Sequence, residues 1–467
     1  MRKENQRANY LIKNTVIFTI GNLATKFISF FLVPLYTNTL STTEYGTVDL
    51  VSTICNVLAP IMILNISESV MRFSLDREAD YSQILSIGIL IYFFSLILGL
   101  LIFPINSLVP LTDEYSIYIY FNTVMYAGSQ LFLCYLRGKE RLAAYAIGGV
   151  IQTLTLACFN IFFLLNLKLG IHGYFLSMIL SSAITMFYAG VSGKVWTVIY
   201  HFSINKNLFM QMVKYSIVLI PNTFMWWIMN ASDRIMVTAI VGAAANGIYA
   251  ISYKLPTLVS TFTGIFNQAW SYSAIKEEGS EDEVEFNNKV LNTLISFSML
   301  VGIGLLTVAK PFLKLYVSFA YFEAWRYIPF LTIGCIYLTL GTFMATSYTV
   351  HKDSFGYLFS AMFGAVFNIA LNFWLIPAIG VYGAAIATCV SYIAVFVFRA
   401  IHTKKYIRYK ILTVEFIVGS ILLLVTSFLM FFENMVGFII QIGLFIIAVY
   451  FYAQIWVPIL KEIFRRV

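Results

Sequence analysis

Lys352 to Ala400 reads KDSFGYLFSAMFGAVFNIALNFWLIPAIGVYGAAIATCVSYIAVFVFRA. Two apolar runs, 355–377 and 381–401, flank the turn residues Ile379 and Gly380, and each is long enough to cross a bilayer as a helix, which takes about 20 residues. The same phrase occurs earlier in the chain. Lys139-Glu140 precedes an apolar run as Lys352-Asp353 does, Phe159-Asn160-Ile161 answers Phe367-Asn368-Ile369, and Leu169-Gly170-Ile171-His172-Gly173 answers Ile379-Gly380-Val381-Tyr382-Gly383. The offset is 213 residues at the first pair and 210 at the last. A fainter match, Tyr45-Gly46-Thr47-Val48 with Asn246-Gly247-Ile248-Tyr249, has an offset of 201.

Composition sets the solvent in which this repeat folds. The 467 residues are 60% hydrophobic, 17% aromatic and only 11% charged, with a mean hydropathy of +0.82, outside the range of water-soluble domains. Fourteen apolar stretches are long enough to span: 14–40, 46–70, 83–105, 115–137, 142–165, 171–193, 214–241, 247–274, 289–317, 326–350, 355–377, 381–401, 411–432 and 435–459. The first has a polar, basic start but is too long for a cleaved signal peptide and lacks a small-residue cleavage site, so it is expected to remain as a helix. The predicted fold class is an all-α polytopic membrane protein. Segments one to six (1–205) form one lobe, segments seven to twelve (206–402) a second lobe in the same orientation, and 403–467 adds two further helices.

Lys and Arg set the orientation, because cytoplasmic loops retain positive charge. With the N-terminus inside, 23 of the 30 fall on the inward side and four, Lys168, Lys310, Lys314 and Arg326, on the outward side. Both termini are then expected in the cytoplasm. The net charge of +8 is accounted for by topology and carries no nucleic-acid inference. Cys55, Cys134, Cys158, Cys335 and Cys389 are scattered singly, without metal or disulfide spacing, and no metal or cofactor is expected.

The three remaining cations, Lys26, Arg234 and Lys254, lie inside apolar segments. A charge at membrane depth costs ~2.5–3.5 kcal/mol on insertion scales and normally faces a wet cavity or a partner. Polar residues accompany them at helical spacing: Thr15, Thr19, Asn22, Lys26 and Ser29 in segment one, Thr223, Trp227, Asn230, Arg234 and Thr238 in segment seven, and Lys254, Thr257, Thr261, Gly264, Gln268 and Ser271 in segment eight. Segment two adds Asp49, Thr53, Asn56, Pro60 and Ser67. Small polar residues also glue membrane helices together, but a cation in three stripes points to a hydrated cavity shared by the lobes. Its expected binding residues are Lys26, Arg234, Lys254, Asn22, Asn230 and Gln268. Asp49, Asp233 and Glu68 are candidate coupling sites for protons or sodium, each with an ordinary alternative. Asp49 is close to the interface, Glu68 is spaced to pair with Arg72, and Asp233, which points away from Arg234, has Lys254 or another neighbour as a partner. His172, His201, His351 and His402 fall in or near loops, and the acidic run Glu277 to Glu285 reads as a solvated face.

No phosphate loop, helical His-Glu-x-x-His or nucleophile elbow occurs, and no catalytic residue is assigned. Ser232-Asp233-Arg234-Ile235-Met236, followed by Val241-Gly242-Ala243-Ala244-Ala245-Asn246-Gly247-Ile248-Tyr249-Ala250-Ile251-Ser252-Tyr253-Lys254, resembles the turn from helix seven into helix eight of polysaccharide flippases in the multidrug/oligosaccharidyl-lipid/polysaccharide exporter superfamily. Pro34-Leu35-Tyr36-Thr37 with Leu40-Ser41-Thr42-Thr43-Glu44-Tyr45-Gly46 is similar to the exit of that family's first helix, and Asn372 to Ala385 also resembles it. The resemblance implies a flippase of the O-antigen, capsule or teichuronic type, moving undecaprenyl-pyrophosphate-linked oligosaccharide across the bacterial cytoplasmic membrane by alternating access. It implies the pyrophosphate as the counter-ion of Lys26, Arg234 and Lys254, membrane lipids as surroundings, and the pathway's glycosyltransferases and glycan polymerase as partners. The competing readings are a cation-coupled drug exporter of the same fold and, in a different class, a membrane glycan polymerase or ligase. Short outward loops count against the latter.

Overall fold

The computed structural model describes residues 21, 23–76, 79–107, 112–432 and 434–466. Among them every regular element is helical, and nine helices are long and apolar enough to cross a membrane. Large apolar side chains such as Phe31, Phe187, Phe373 and Trp374 are exposed, as expected where the surrounding solvent is lipid. This is a multi-pass membrane protein.

The chain packs as two units, Met1–Trp227 and Ile228–Val467. In the first, residues 23–31 are helical and lead into α1 (Val33–Thr39). There follow α2 (Thr42–Met62), α3 (Ile66–Ser74), α4 (Tyr81–Gly99), α5 (Ser116–Gly138), α6 (Leu142–Asn160), α7 (Gly170–Gly193) and α8 (Lys206–Ile240). Ser41 starts α2 with a reciprocal capping box: its hydroxyl accepts the Glu44 N–H, and the Glu44 carboxylate accepts the Ser41 N–H at 2.8 Å. Such a pair satisfies two N–H groups that the helix itself leaves without acceptors. The second apolar stretch is not one helix. It breaks at Leu64 and Asn65, both with positive φ, and restarts at Ile66.

The second unit contains α9 (Ala243–Ser252), α10 (Pro256–Lys276), α11 (Glu283–Tyr316), α12 (Ile328–Val350), α13 (Ser354–Ile379), α14 (Val381–His402), α15 (Val414–Leu429) and α16 (Met435–Arg466). α15 and α16 pack on α11 and leave residues such as Leu424, Phe428, Ile439 and Tyr450 exposed.

The repeat is visible within each unit. α5 packs on α7 as α12 packs on α14, and α6 on α7 as α13 on α14. Gly170 (φ +54°) and Gly380 (φ +61°) open the corresponding turns, a conformation glycine adopts without Cβ strain. Asn160 is buried on α6 and donates to the Tyr36 hydroxyl of the first helical segment at 3.0 Å; its counterpart Asn368, buried on α13, accepts from Ser232 of the seventh at 3.2 Å. Corresponding asparagines thus tie corresponding helices.

α8 runs through the division between the units, which falls at Trp227/Ile228. Met212 is fully buried with Ile66, Val70, Leu85 and Leu131, and its carbonyl accepts the Ser69 hydroxyl at 3.0 Å. The early turns of α8 therefore complete the core of the first unit.

Candidate functional site

The segment Ser232 to Lys254 folds back on itself and builds a buried polar cluster in the second unit. Asp233, on α8, is only 1% exposed. Its Oδ2 accepts hydrogen bonds from the hydroxyls of Tyr249 at 2.7 Å, Tyr253 at 2.8 Å and Thr388 at 3.3 Å, and its Oδ1 accepts the Arg234 N–H at 2.9 Å. A buried carboxylate is tolerated only when its lone pairs are satisfied in this way. The alternatives open from the sequence, Lys254 or another neighbour, thus gain definite partners: two tyrosines and a threonine, contributed by α9, the turn after it, and α14.

Arg234 lies next to this carboxylate on a different face of the helix. Its guanidinium carbon is 5.2 Å from the centroid of the Tyr253 ring, a cation–π distance. Tyr253 therefore holds the cation with its ring and the anion with its hydroxyl. The Arg234 carbonyl accepts the Thr238 hydroxyl at 2.7 Å.

Lys254 departs from the sequence expectation of a continuous helix shared with Thr257, Thr261, Gly264, Gln268 and Ser271, because residues 253–255 form a turn between α9 and α10. Pro256, the first residue of α10, has no N–H to donate to the preceding turn, so the ladder of α9 cannot run through it. A cation on broken backbone at this position is held by local turn geometry, its N–H bonded to the Ile251 carbonyl at 3.0 Å.

In the first unit Lys26 is exposed on helical residues 23–31. Asn22 lies outside the described residues, as do the side chains of Asn230 and Gln268. Asp49 is half-buried on α2. Glu68 sits in the first turn of α3, where the helix dipole favours a negative charge. The expected Glu68–Arg72 pair is replaced by Arg72–Asp76, at 2.7 Å and also four residues apart; Asp76 lies just beyond the end of α3 and brings its carboxylate to the exposed guanidinium. One residue before Lys26, Thr25 lines a cavity of about 230 Å³ with Gln130, Tyr145, Gln152 and Thr153. It is polar and uncharged in its lining, and Gly149 adds room because nothing lies within 4 Å of where its Cβ would be. No group of His, Cys, Asp and Glu able to hold a metal occurs among the described residues.

Sequence reading missed Tyr249, Tyr253, Thr388 and the Gln130/Gln152 cavity. The tyrosine pair carried a signal, a four-residue spacing within the segment already singled out. Thr388 carried none. Arg399, one of the charges counted to the inward side, is 1% exposed in the last turn of α14. It donates to Ser360 Oγ at 3.1 Å and the Gly341 carbonyl at 3.2 Å, linking α12, α13 and α14.

A family model described as polysaccharide biosynthesis protein matches residues 11–272, more than half of the chain and including the whole of the Asp233–Lys254 segment. The chain belongs to that family. A probable lipid II flippase MurJ of Thermotoga maritima is 28% identical over 229 residues, covering 46% of each protein. An uncharacterized membrane protein of Methanocaldococcus jannaschii is 25% identical over 264 residues, 52% of this chain and 62% of that one. The chain thus spans about half to three-fifths of the length of these curated relatives. Among solved structures, the lipid II flippase MurJ in an inward closed conformation superposes with a TM-score of 0.70 at 14% identity, over 96% of this chain and 100% of that one. An inward-facing multidrug resistance MATE family transporter superposes with a TM-score of 0.63 at 12% identity, over 88% and 95%. At these identities the structures establish the fold: this polysaccharide biosynthesis family member has the helical fold shared by MurJ and the MATE transporters. Its named relatives are flippases and transporters, not enzymes.

Proposed function

We propose that the protein is a flippase for a polyprenyl-pyrophosphate-linked oligosaccharide, undecaprenyl-linked in a bacterial cytoplasmic membrane, working by alternating access with both termini in the cytoplasm. Arg234, Lys254 and Lys26 bind the pyrophosphate; Asn22, Asn230 and Gln268 hydrogen-bond the sugars. Asp233 is the leading coupling candidate, with Asp49 and Glu68 behind it. The fourteen apolar stretches are its crossings, and the pathway's glycosyltransferases and polymerase are its working partners.

The observation that carries this reading is the Asp233–Tyr253–Arg234 cluster within the family-matched segment. Its carboxylate is satisfied by hydroxyls, and its guanidinium is held against an aromatic face, so the positive group is oriented before any ligand arrives. Preorganised cations lose little entropy on meeting a phosphate. The polar cavity lined by Gln130 and Gln152 supplies both donors and acceptors, which suits a hydroxyl-rich cargo.

Arg234→Ala, Lys254→Ala and Lys26→Ala, tested singly in cells, are each expected to reduce surface glycan about tenfold or more, the loss typical of a charge-assisted contact. Membrane abundance should stay constant, and lipid-linked intermediate should accumulate. Normal glycan in all three variants would sink the proposal. Loss of drug resistance on deletion, with glycan unchanged, would favour the exporter reading.

A further inference from the structure

The second unit holds another cavity, of about 450 Å³, at the end of α11. Lys310 and Lys314 of α11 line it, with Trp325 from the segment after α11 and Met430, Phe438 and Gln441 from the α15–α16 corner. The Lys310 ammonium is 3.6 Å from the centroid of the Trp325 ring, and Trp325 is buried. Lys314, one turn on, is exposed. Gln441 is buried and donates to the Thr426 carbonyl at 3.1 Å.

Residues 290–309 of α11 carry no charged side chain. At 1.5 Å per residue they span about 30 Å, the thickness of the hydrocarbon layer, so Lys310 and Lys314 stand at the level of the lipid phosphates. On the orientation read from Lys and Arg, this is the outward side, where basic residues are scarce. Three of the four outward cations gather here, the third being Arg326, 5.9 Å from the Trp325 ring and paired with Glu323 at 2.6 Å. Glu433 lies outside the described residues. Lysines that merely snorkel at an interface have no need of a cavity walled by buried Trp325 and Gln441.

We propose that this cavity binds an anionic lipid of the outward leaflet, its phosphate meeting Lys314 and Lys310 and its glycerol and first methylenes lying on Trp325, Met430 and Phe438. The site is independent of the cargo reading above; that its leaflet is the outward one rests on the orientation read from Lys and Arg. The full chain, purified in detergent, is titrated with phosphatidylglycerol, phosphatidylcholine or inorganic phosphate and read by native mass spectrometry. Phosphatidylglycerol is expected to bind about tenfold better than phosphatidylcholine, and K310Q/K314Q to remove that preference while K310R/K314R keeps it. K404Q/K405Q, which removes basic charge elsewhere, should leave the preference intact. Unchanged phosphatidylglycerol binding in K310Q/K314Q, or equal binding of the two lipids to the native chain, overturns the proposal. Inorganic phosphate binding as tightly as phosphatidylglycerol overturns it too, making the cavity a soluble-anion site. If K310Q/K314Q does not fold, K314Q alone, at an exposed side chain, is read in its place, and an unchanged preference in it overturns the proposal.

Discussion

Asp233 illustrates how a charge is kept inside this fold. Three hydroxyls and one N–H converge on its two oxygens, and removing the carboxylate would leave the hydroxyls of buried Tyr249 and Tyr253 with only each other, at 3.2 Å. Asp233→Ala is expected to destabilise the protein by about 2–4 kcal/mol, whereas Asp233→Asn, which keeps an acceptor, should cost about half as much or less; thermal unfolding in detergent distinguishes them. Asp353 gives a pH-dependent case outside the membrane. The Gly356 N–H, the Tyr406 hydroxyl and Lys405 at 2.9 Å hold its carboxyl well below the usual carboxylate range. A depressed acid stabilises the fold fully above its unfolded value, near pH 4, and loses that contribution as pH falls toward the folded value. The stability gap between the native chain and Asp353→Asn should be constant from about pH 8 to 5 and narrow below about 4. A gap that widens on acidification would contradict the assignment. Of the residue-scale chemistry, the cations were legible because a charge in an apolar run is anomalous in any sequence. Their partners were not, because a buried tyrosine or threonine looks like ordinary helix packing until the fold brings a carboxylate to it.

Elements show a comparable division. The apolar stretches marked the helices well, since hydropathy over about 20 residues averages out local detail. The breaks at 63–65 and 253–255 escaped that average, although Pro256 and Asn65, a residue that tolerates positive φ, were local signs of them. Turn glycines can be separated by cause. At Gly380 nothing lies within 4 Å of the point a Cβ would occupy, so only the φ of +61° opposes a side chain; Gly380→Ala should cost about 1–2 kcal/mol. At Gly383 a Cβ would run into the Leu375 carbonyl of α13, and backbone cannot swing aside. Gly383→Ala is therefore expected to lower the unfolding temperature more than Gly380→Ala, and the reverse order would mean that α13 and α14 can part at their crossing.

For the whole molecule, the repeat was readable because a turn glycine (Gly170, Gly380) and a helix asparagine (Asn160, Asn368) recur at offsets of 210 and 208 residues, and those residues hold the same positions in both units. A loop ahead of residue 206 is the natural boundary in sequence, yet the buried face around Met212 assigns the start of α8 to the first unit. Orientation is testable at this scale. In a background without native cysteines, Lys168→Cys should react with an impermeant thiol reagent from outside intact cells and Arg408→Cys only after permeabilisation. Labelling of both from outside would overturn the orientation read from Lys and Arg.

The placement of α8 bears on how such a doubled chain could have arisen. If the second copy had stayed a separate gene product, the first would have been released with the surface around Ile66, Val70 and Leu131 uncovered and the Ser69 hydroxyl without its acceptor. The opening helix of the second repeat is the closing piece of the first unit's core. A chain severed in the loop before α8 should recover its fold only when both fragments are synthesised in the same cell.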